Sequence, residues 1–209
     1  MKKIYTKIVD HYEECLEKHG DNHLGVDWPK LDDVDKRYKV MVDIIRLNED
    51  NEASLLDFGC GTAHLLEYIN KNEIKGIEYS GLDISQKFVD VAKAKFPDNS
   101  FYCIDFFDSN NKIKNFDYIV MNGVFTEKRE FSFDEMWDYF TKLITIVFEK
   151  CDKGFAFNVM SKNVDWERED LFHVSLDLIS DFLCKNLTRD FVIRNDYGLY
   201  EYTVYVLKK

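Results

Sequence analysis

The run Asp57-Phe58-Gly59-Cys60-Gly61-Thr62-Ala63-His64 places a carboxylate and two glycines directly after the apolar pair Leu55-Leu56. Glycines where a strand turns into a helix allow a tight bend and let the backbone approach a ligand with no Cβ in the way. The N–H groups of such a loop and the positive end of the following helix favour an anionic group on that ligand. Two further acids follow: Asp83 in Gly81-Leu82-Asp83-Ile84 and Asp105 in Cys103-Ile104-Asp105-Phe106. Asp83 lies close to the ~20-residue offset at which an acid meets a ribose diol. Each acid alone would be an ordinary solvated strand end. Three of them at the carboxyl ends of neighbouring parallel strands share one edge, so Asp57, Asp83 and Asp105 are expected to line a single crevice. The chemistry of that set is recognition of a nucleoside-bearing cofactor.

A dinucleotide is a poorer match. Its G-x-G-x-x-G fingerprint becomes Gly59-x-Gly61-x-x-His64 here, without the third glycine that close helix–strand packing needs. Helical sequence also precedes the first strand. A nicotinamide-dependent oxidoreductase therefore stands as an alternative, as does a cofactor-binding partner subunit without turnover.

The elements that must hold these residues alternate in type. Strands are expected at 54–58, 79–84, 101–104, 118–121 and 155–160, with helices at 63–71, 86–96 (capped by Ser85) and 135–148 (opened by a Ser132-x-x-Glu135 capping box). Such alternation predicts βαβ crossovers. Two β-rich runs at the end, 190–194 and 200–207, flank the turn-forming Asn195-Asp196-Tyr197-Gly198-Leu199 and predict a hairpin with one antiparallel strand. Before residue 50, stripes at Ile8, Val9, Tyr12, Cys15 and Leu16, then at Val34, Tyr38, Met41, Ile44 and Ile45, predict two helices. The expected fold is α/β: a Rossmann-like, doubly wound, mostly parallel seven-stranded sheet with an antiparallel C-terminal strand. It forms one domain over 1–209, with a helical cap over 1–50 and the core over 53–209.

Composition narrows the partners. The chain has 209 residues with 45% hydrophobic and 15% aromatic content, enough for a sizeable core. Its 28 basic and 39 acidic residues give a net charge of −11, opposite to what a nucleic-acid backbone or an anionic membrane selects. No apolar run approaches a membrane span, and charged residues rather than an apolar segment follow Lys2 and Lys3, so neither insertion nor secretion is expected. The five cysteines form no CxxC pair, which fits reduced thiols in the cytoplasm and predicts no metal site.

With these residues placed, the sequence resembles the class I S-adenosylmethionine-dependent methyltransferases. Residues 57–63 are similar to that family's D-x-G-x-G-x-G loop, with Ala63 in place of the last glycine. The resemblance implies S-adenosylmethionine as cofactor and S-adenosylhomocysteine as product. It implies that the Gly59–Gly61 segment meets the amino-acid part, that Asp83 takes the ribose hydroxyls, and that Asp105 accepts from the adenine amino group beside the Phe106 backbone. Met121-Asn122-Gly123-Val124-Phe125 corresponds to the segment beside the transferring methyl. The implied cofactor-contacting set is Trp28, Arg37, Asp57, Gly59, Gly61, Asp83, Ile84, Asp105, Phe106 and Asn122. Trp28 could equally be a core anchor and Arg37 an ion-pair partner.

A narrower likeness rests on His19-Gly20, Gly25-Val26-Asp27-Trp28, Arg37-Tyr38, Phe155-Ala156-Phe157-Asn158 and Tyr200-Glu201-Tyr202-Thr203-Val204-Tyr205. These segments look like small bacterial methyltransferases associated with capsule or other surface-glycan biosynthesis, which implies a sugar or anionic glycan precursor as the small-molecule acceptor. A neutral hydroxyl acceptor needs a base, whereas an anionic oxygen does not. His173, in a loop facing the same sheet edge, is the candidate base, ahead of His23, His64 and Glu127. The acceptor pocket is expected from 20–30, 123–133 and 160–174, where Phe125, Phe131, Trp166 and Phe172 mix with Lys128, Arg129, Lys162 and Arg168. The acidic stretch 165–170 reads as a solvated loop.

Overall fold

A computed structural model describes residues 5–46, 52–108 and 113–208. Its chain order is α1 (Tyr5–His19), α2 (Leu31–Arg46), β1 (Ala53–Phe58), α3 (His64–Lys71), β2 (Ile77–Asp83), α4 (Gln86–Lys95), β3 (Ser100–Cys103) and β4 (Phe116–Met121). There follow α5 (Phe133–Lys150), β5 (Cys151–Ser161), β6 (His173–Val174), α6 (Leu176–Asn186), β7 (Phe191–Arg194) and β8 (Glu201–Leu207). The strands form one sheet in the order β3-β2-β1-β4-β5-β8-β7, with the two-residue β6 paired to β5. β8 runs antiparallel to both β5 and β7, while the pairings among β1 to β6 are parallel. The sheet is thus Rossmann-like and mostly parallel, with the expected C-terminal hairpin. β6 adds an eighth strand to the expected seven, too short for a hydrophobic period to signal.

Alternation along the strands fills two cores, because successive side chains point to opposite faces. Leu56 and Phe58 of β1 join one cluster with α5 and α6 residues, while Leu55 of the same strand joins the other with residues of α2, α3 and α4. The same alternation along β4 splits Ile119 and Met121 from Tyr118 and Val120. The capping box at α5 is made in full: Ser132 Oγ accepts from the Glu135 N–H at 3.2 Å, and Glu135 accepts from the Ser132 N–H at 2.9 Å.

The expected two-helix cap divides in two, and its positions 1–4 and 47–50 lie outside the described residues. α2 is a core helix, since Met41 and Ile44 are fully buried against the sheet. α1 buries only Tyr5 and Ile8 and is the one true cover.

Candidate functional site

The bend after β1 depends on its backbone. Gly59 and Gly61 sit at φ 73° and 53°, in the left-handed region that disfavours side chains. Ala63 is held there too, at φ 66°, immediately before α3. The substitution of alanine for a third glycine therefore retains the turn at the expense of backbone strain. The loop amides are not the free anion cradle that the spacing suggested. The Gly59 and Cys60 N–H groups both donate to the Leu82 carbonyl, at 2.7 and 3.0 Å, and Gly61 N–H donates to Asp83 Oδ2 at 2.9 Å.

One cavity opens along this edge, and it is lined by Asp57, Gly59, Gly61, Asp83, Ile84, Asp105, Phe106, Asn122 and Trp28 together with Tyr5, Ile8, Val9 and Tyr12 of α1. Nine of the ten positions implied by the resemblance thus share one wall, leaving Arg37 out. The cavity spans the strand ends from β3 to β4, with β2 and β1 between them. At ~4.8 Å per strand this is a reach of roughly 14 Å from Asp105 to Asn122.

Its carboxylates are internally engaged. Asp57 accepts from the Tyr79 hydroxyl at 2.7 Å, and burial pushes its pKa up to about 7, with the Tyr79 bond opposing and the Asp83 charge adding. Burial also raises Asp83, against the Gly61 and Ser85 amides that it accepts from at 2.9 Å each. Asp105 accepts from the Tyr5 hydroxyl at 2.6 Å and from Phe107 N–H at 3.0 Å. Among the described residues, neither lysine nor arginine lines the cavity. A described wall with three acids and neither lysine nor arginine suits a ligand that donates hydrogen bonds or carries positive charge, and disfavours a pyrophosphate. At the far end, both Nδ2 and Oδ1 of Asn122 are buried without a partner among the described residues, which leaves a carboxamide ready for a ligand.

Several expected roles change. Arg37 does not reach the cavity; it forms a forked ion pair with the buried Glu201, at 2.9 and 3.1 Å, and stacks over Trp28 at 5.2 Å. His173, the candidate base, is held by internal bonds on both ring nitrogens. It is buried, its Nδ1 donates to the Ser161 carbonyl at 2.6 Å, and its Nε2 accepts from Arg168 N–H at 3.2 Å. Both ring nitrogens are therefore spent on holding the loop before β6. His64 lines the cavity but is bonded to Asp21 and Thr62.

The acceptor pocket expected from aromatic residues is also redrawn. Phe125 and Phe172 are fully buried against Phe140 in the core, and Trp166 is exposed. Hydrophobic burial claims rings wherever it can, so aromatic content alone did not mark a ligand wall. Glu127 is buried rather than solvated; burial raises its pKa, with the charges of Asp27 and Asp170 adding and Arg129 opposing. One grouping that sequence spacing missed is His11, Cys15 and Asp27, whose donor atoms lie within 4.8 Å of one another, with His11 bonded to Asp27 at 2.8 Å. The i, i+4 spacing of His11 and Cys15 was its visible half.

The strand order, the glycine bend and the acid-lined cavity define a Rossmann-like methyltransferase fold. Residues 56–145 match the model of the methyltransferase domain family. A Mycobacterium tuberculosis protein named as a candidate methyltransferase is 27% identical over 165 residues, covering 78% of this chain and 97% of its own. Among solved structures, the S-adenosylmethionine-bound magnesium protoporphyrin IX methyltransferase of Synechocystis PCC 6803 superposes with a TM-score of 0.61 at 14% identity, covering 99% of this chain and 93% of that one. The plantazolicin methyltransferase BpumL, solved with a desmethyl plantazolicin analogue and S-adenosylhomocysteine, gives 0.64 at 14% identity, covering 100% and 92%. An S-adenosylmethionine-dependent methyltransferase from Clostridium acetobutylicum gives 0.55 at 16% identity, covering 98% and 99%.

Proposed function

We propose that the protein transfers a methyl group from S-adenosylmethionine to a small-molecule acceptor. The observation that carries this reading is the single cavity in which the glycine bend, Asp83 and Asp105 lie at one side and the unpartnered Asn122 carboxamide at the other. In it Asp83 would hold the ribose hydroxyls, Asp105 the adenine amino group, and the Gly59–Gly61 backbone the amino-acid part. The Asn122–Gly123 segment would stand beside the methyl. The cofactor supplies an activated methyl on a sulfonium.

What the chain itself contributes is alignment. The cavity-lining carboxylates and His64 all carry internal partners, so they are placed to orient groups rather than to shuttle a proton. Holding nucleophile and methyl in line replaces a bimolecular encounter, an entropic saving of several kcal/mol. The narrower reading, an oxygen of a capsule or surface-glycan precursor, rests on the sequence likeness of the 19–38 and 200–205 segments. The two superposed methyltransferases with named substrates act on a magnesium porphyrin and on plantazolicin.

Incubation with isotopically methyl-labelled S-adenosylmethionine and a metabolite extract, followed by mass spectrometry, tests the reading. A labelled small molecule is expected. Cofactor binding without any labelled product would instead support the partner-subunit alternative. Asp83→Ala is expected to weaken S-adenosylhomocysteine binding by about 1–3 kcal/mol in calorimetry, the loss of charge-assisted hydrogen bonds. Unchanged affinity would remove Asp83 from the ribose.

A further inference from the structure

Behind the methyl-side wall of the cavity lies a closed circuit of contacts that no cavity-lining residue explains by itself. β4 ends at Met121, and the chain turns through Gly123 at φ 82°. The Gly123 N–H donates to Asn158 Oδ1 at 2.8 Å. The Asn158 Nδ2 donates to Glu201 Oε1 at 3.0 Å, and Glu201 is gripped by the Arg37 fork. The Arg37 guanidinium lies over the Trp28 ring, and the Trp28 ring faces Gly123, 3.5 Å from where a Cβ would stand. Asn158 and Glu201 are buried almost completely, at 0% and 2% exposure.

The circuit has one consistent orientation. Glu201 only accepts and Arg37 only donates, so Asn158 must turn its NH₂ toward Glu201 and its carbonyl toward Gly123. A flipped amide would set oxygen against carboxylate and NH₂ against N–H. Removing any member leaves a buried charge or dipole unpaired, so the arrangement is held strongly. The circuit reaches the cavity at two points only, Trp28 and the Asn122–Gly123 turn. We propose that Arg37, Glu201 and Asn158 are positioning residues that fix the Asn122–Gly123 turn against Trp28, and so set the methyl-transfer end of the cavity. The nucleoside end, at Asp83 and Asp105, is held by other contacts. This inference rests on the methyltransferase reading above.

The test compares two probes by calorimetry: S-adenosylhomocysteine, which reaches both ends, and adenosine, which reaches only the Asp83–Asp105 end. Glu201→Gln puts an NH₂ where only acceptors fit. It is expected to weaken S-adenosylhomocysteine about tenfold while leaving adenosine affinity unchanged, in line with coupling through packed networks. Arg37→Lys keeps the charge but loses the fork and the stack, and is expected to move the same ratio by a smaller factor; it carries the comparison if Glu201→Gln does not fold. Equal weakening of the two probes, or an unmoved ratio, would reduce the circuit to fold maintenance and overturn the proposal. Wild-type protein that binds neither probe would instead bring down the methyltransferase reading itself.

Discussion

Asp57 is the clearest case of a side chain whose environment sets a measurable property. Its pKa of about 7 in the folded protein lies far above the ordinary carboxylate value of 3.8, chiefly through burial. The folded state thus holds this proton more tightly than the unfolded chain does. Its stabilising share is full below about pH 4 and is lost as pH rises through about 7. Burial-raised Asp83 and Glu127 act with the same sign, whereas paired carboxylates such as Asp117 and Asp170 act oppositely and at lower pH. Denaturant melts of the ligand-free protein should show Asp57→Asn flattening the decline between about pH 5 and 7; an unchanged slope would contradict the assignment. Ala63 offers a second test. Its left-handed backbone costs about 1–2 kcal/mol, offset in part by the roughly 0.4–1 kcal/mol of extra unfolded entropy that glycine brings. Ala63→Gly also removes a methyl buried in the core, about 0.8 kcal/mol, so its stability in urea melts should stay within about 0.5 kcal/mol of the parent; a loss beyond about 1.5 kcal/mol would contradict strain at this position. His173→Gln should cost about 1–3 kcal/mol of stability, since both ring nitrogens serve buried bonds. Cofactor affinity should not change. A stable variant that had lost turnover would restore the catalytic role.

The elements were largely readable from periodicity and punctuation. Strand ends at Phe58, Asp83 and Met121 follow from apolar runs meeting glycine or acid, and Ser132-x-x-Glu135 marked the cap of α5, whose helix begins at Phe133 rather than at the expected 135. What the pattern could not give was partnership. Arg37 lies 164 positions from Glu201, and nothing local signals that the arginine turns away from the cavity. Likewise the i, i+4 stripe of α2 is as compatible with a cap as with the core helix it is, because periodicity shows an apolar face and not what covers it. α1 differs from α2 in just this respect. It closes the cavity with Tyr5, Ile8, Val9 and Tyr12, yet its outer side is tied by polar contacts such as Ser85 to Glu13 and Lys87 to Glu17. With few fully buried side chains it should open more readily than the strands. Hydrogen exchange should find α1 amides exchanging well before those of β1 and β4, and slowed by S-adenosylhomocysteine. Equal protection of α1 and β4 in the free protein would argue against a cover that yields to ligand.

At the scale of the whole molecule, the sheet order brings acids from three separate strand ends to one edge, and the described lining of the cavity holds neither lysine nor arginine. That charge balance separates the two cofactor readings more sharply than the missing third glycine did, since it concerns the ligand's own charge. No helix among the described residues is long and apolar enough to cross a membrane. The antiparallel β8 also serves the site, because it delivers Glu201 to the circuit behind Asn122. A crystal structure with S-adenosylhomocysteine bound is the most direct test. It should show the ribose on Asp83, the adenine amino group on Asp105 and the sulfur beside Asn122–Gly123. A nucleoside bound elsewhere, or reversed in the cavity with its base at Asn122, would contradict the account.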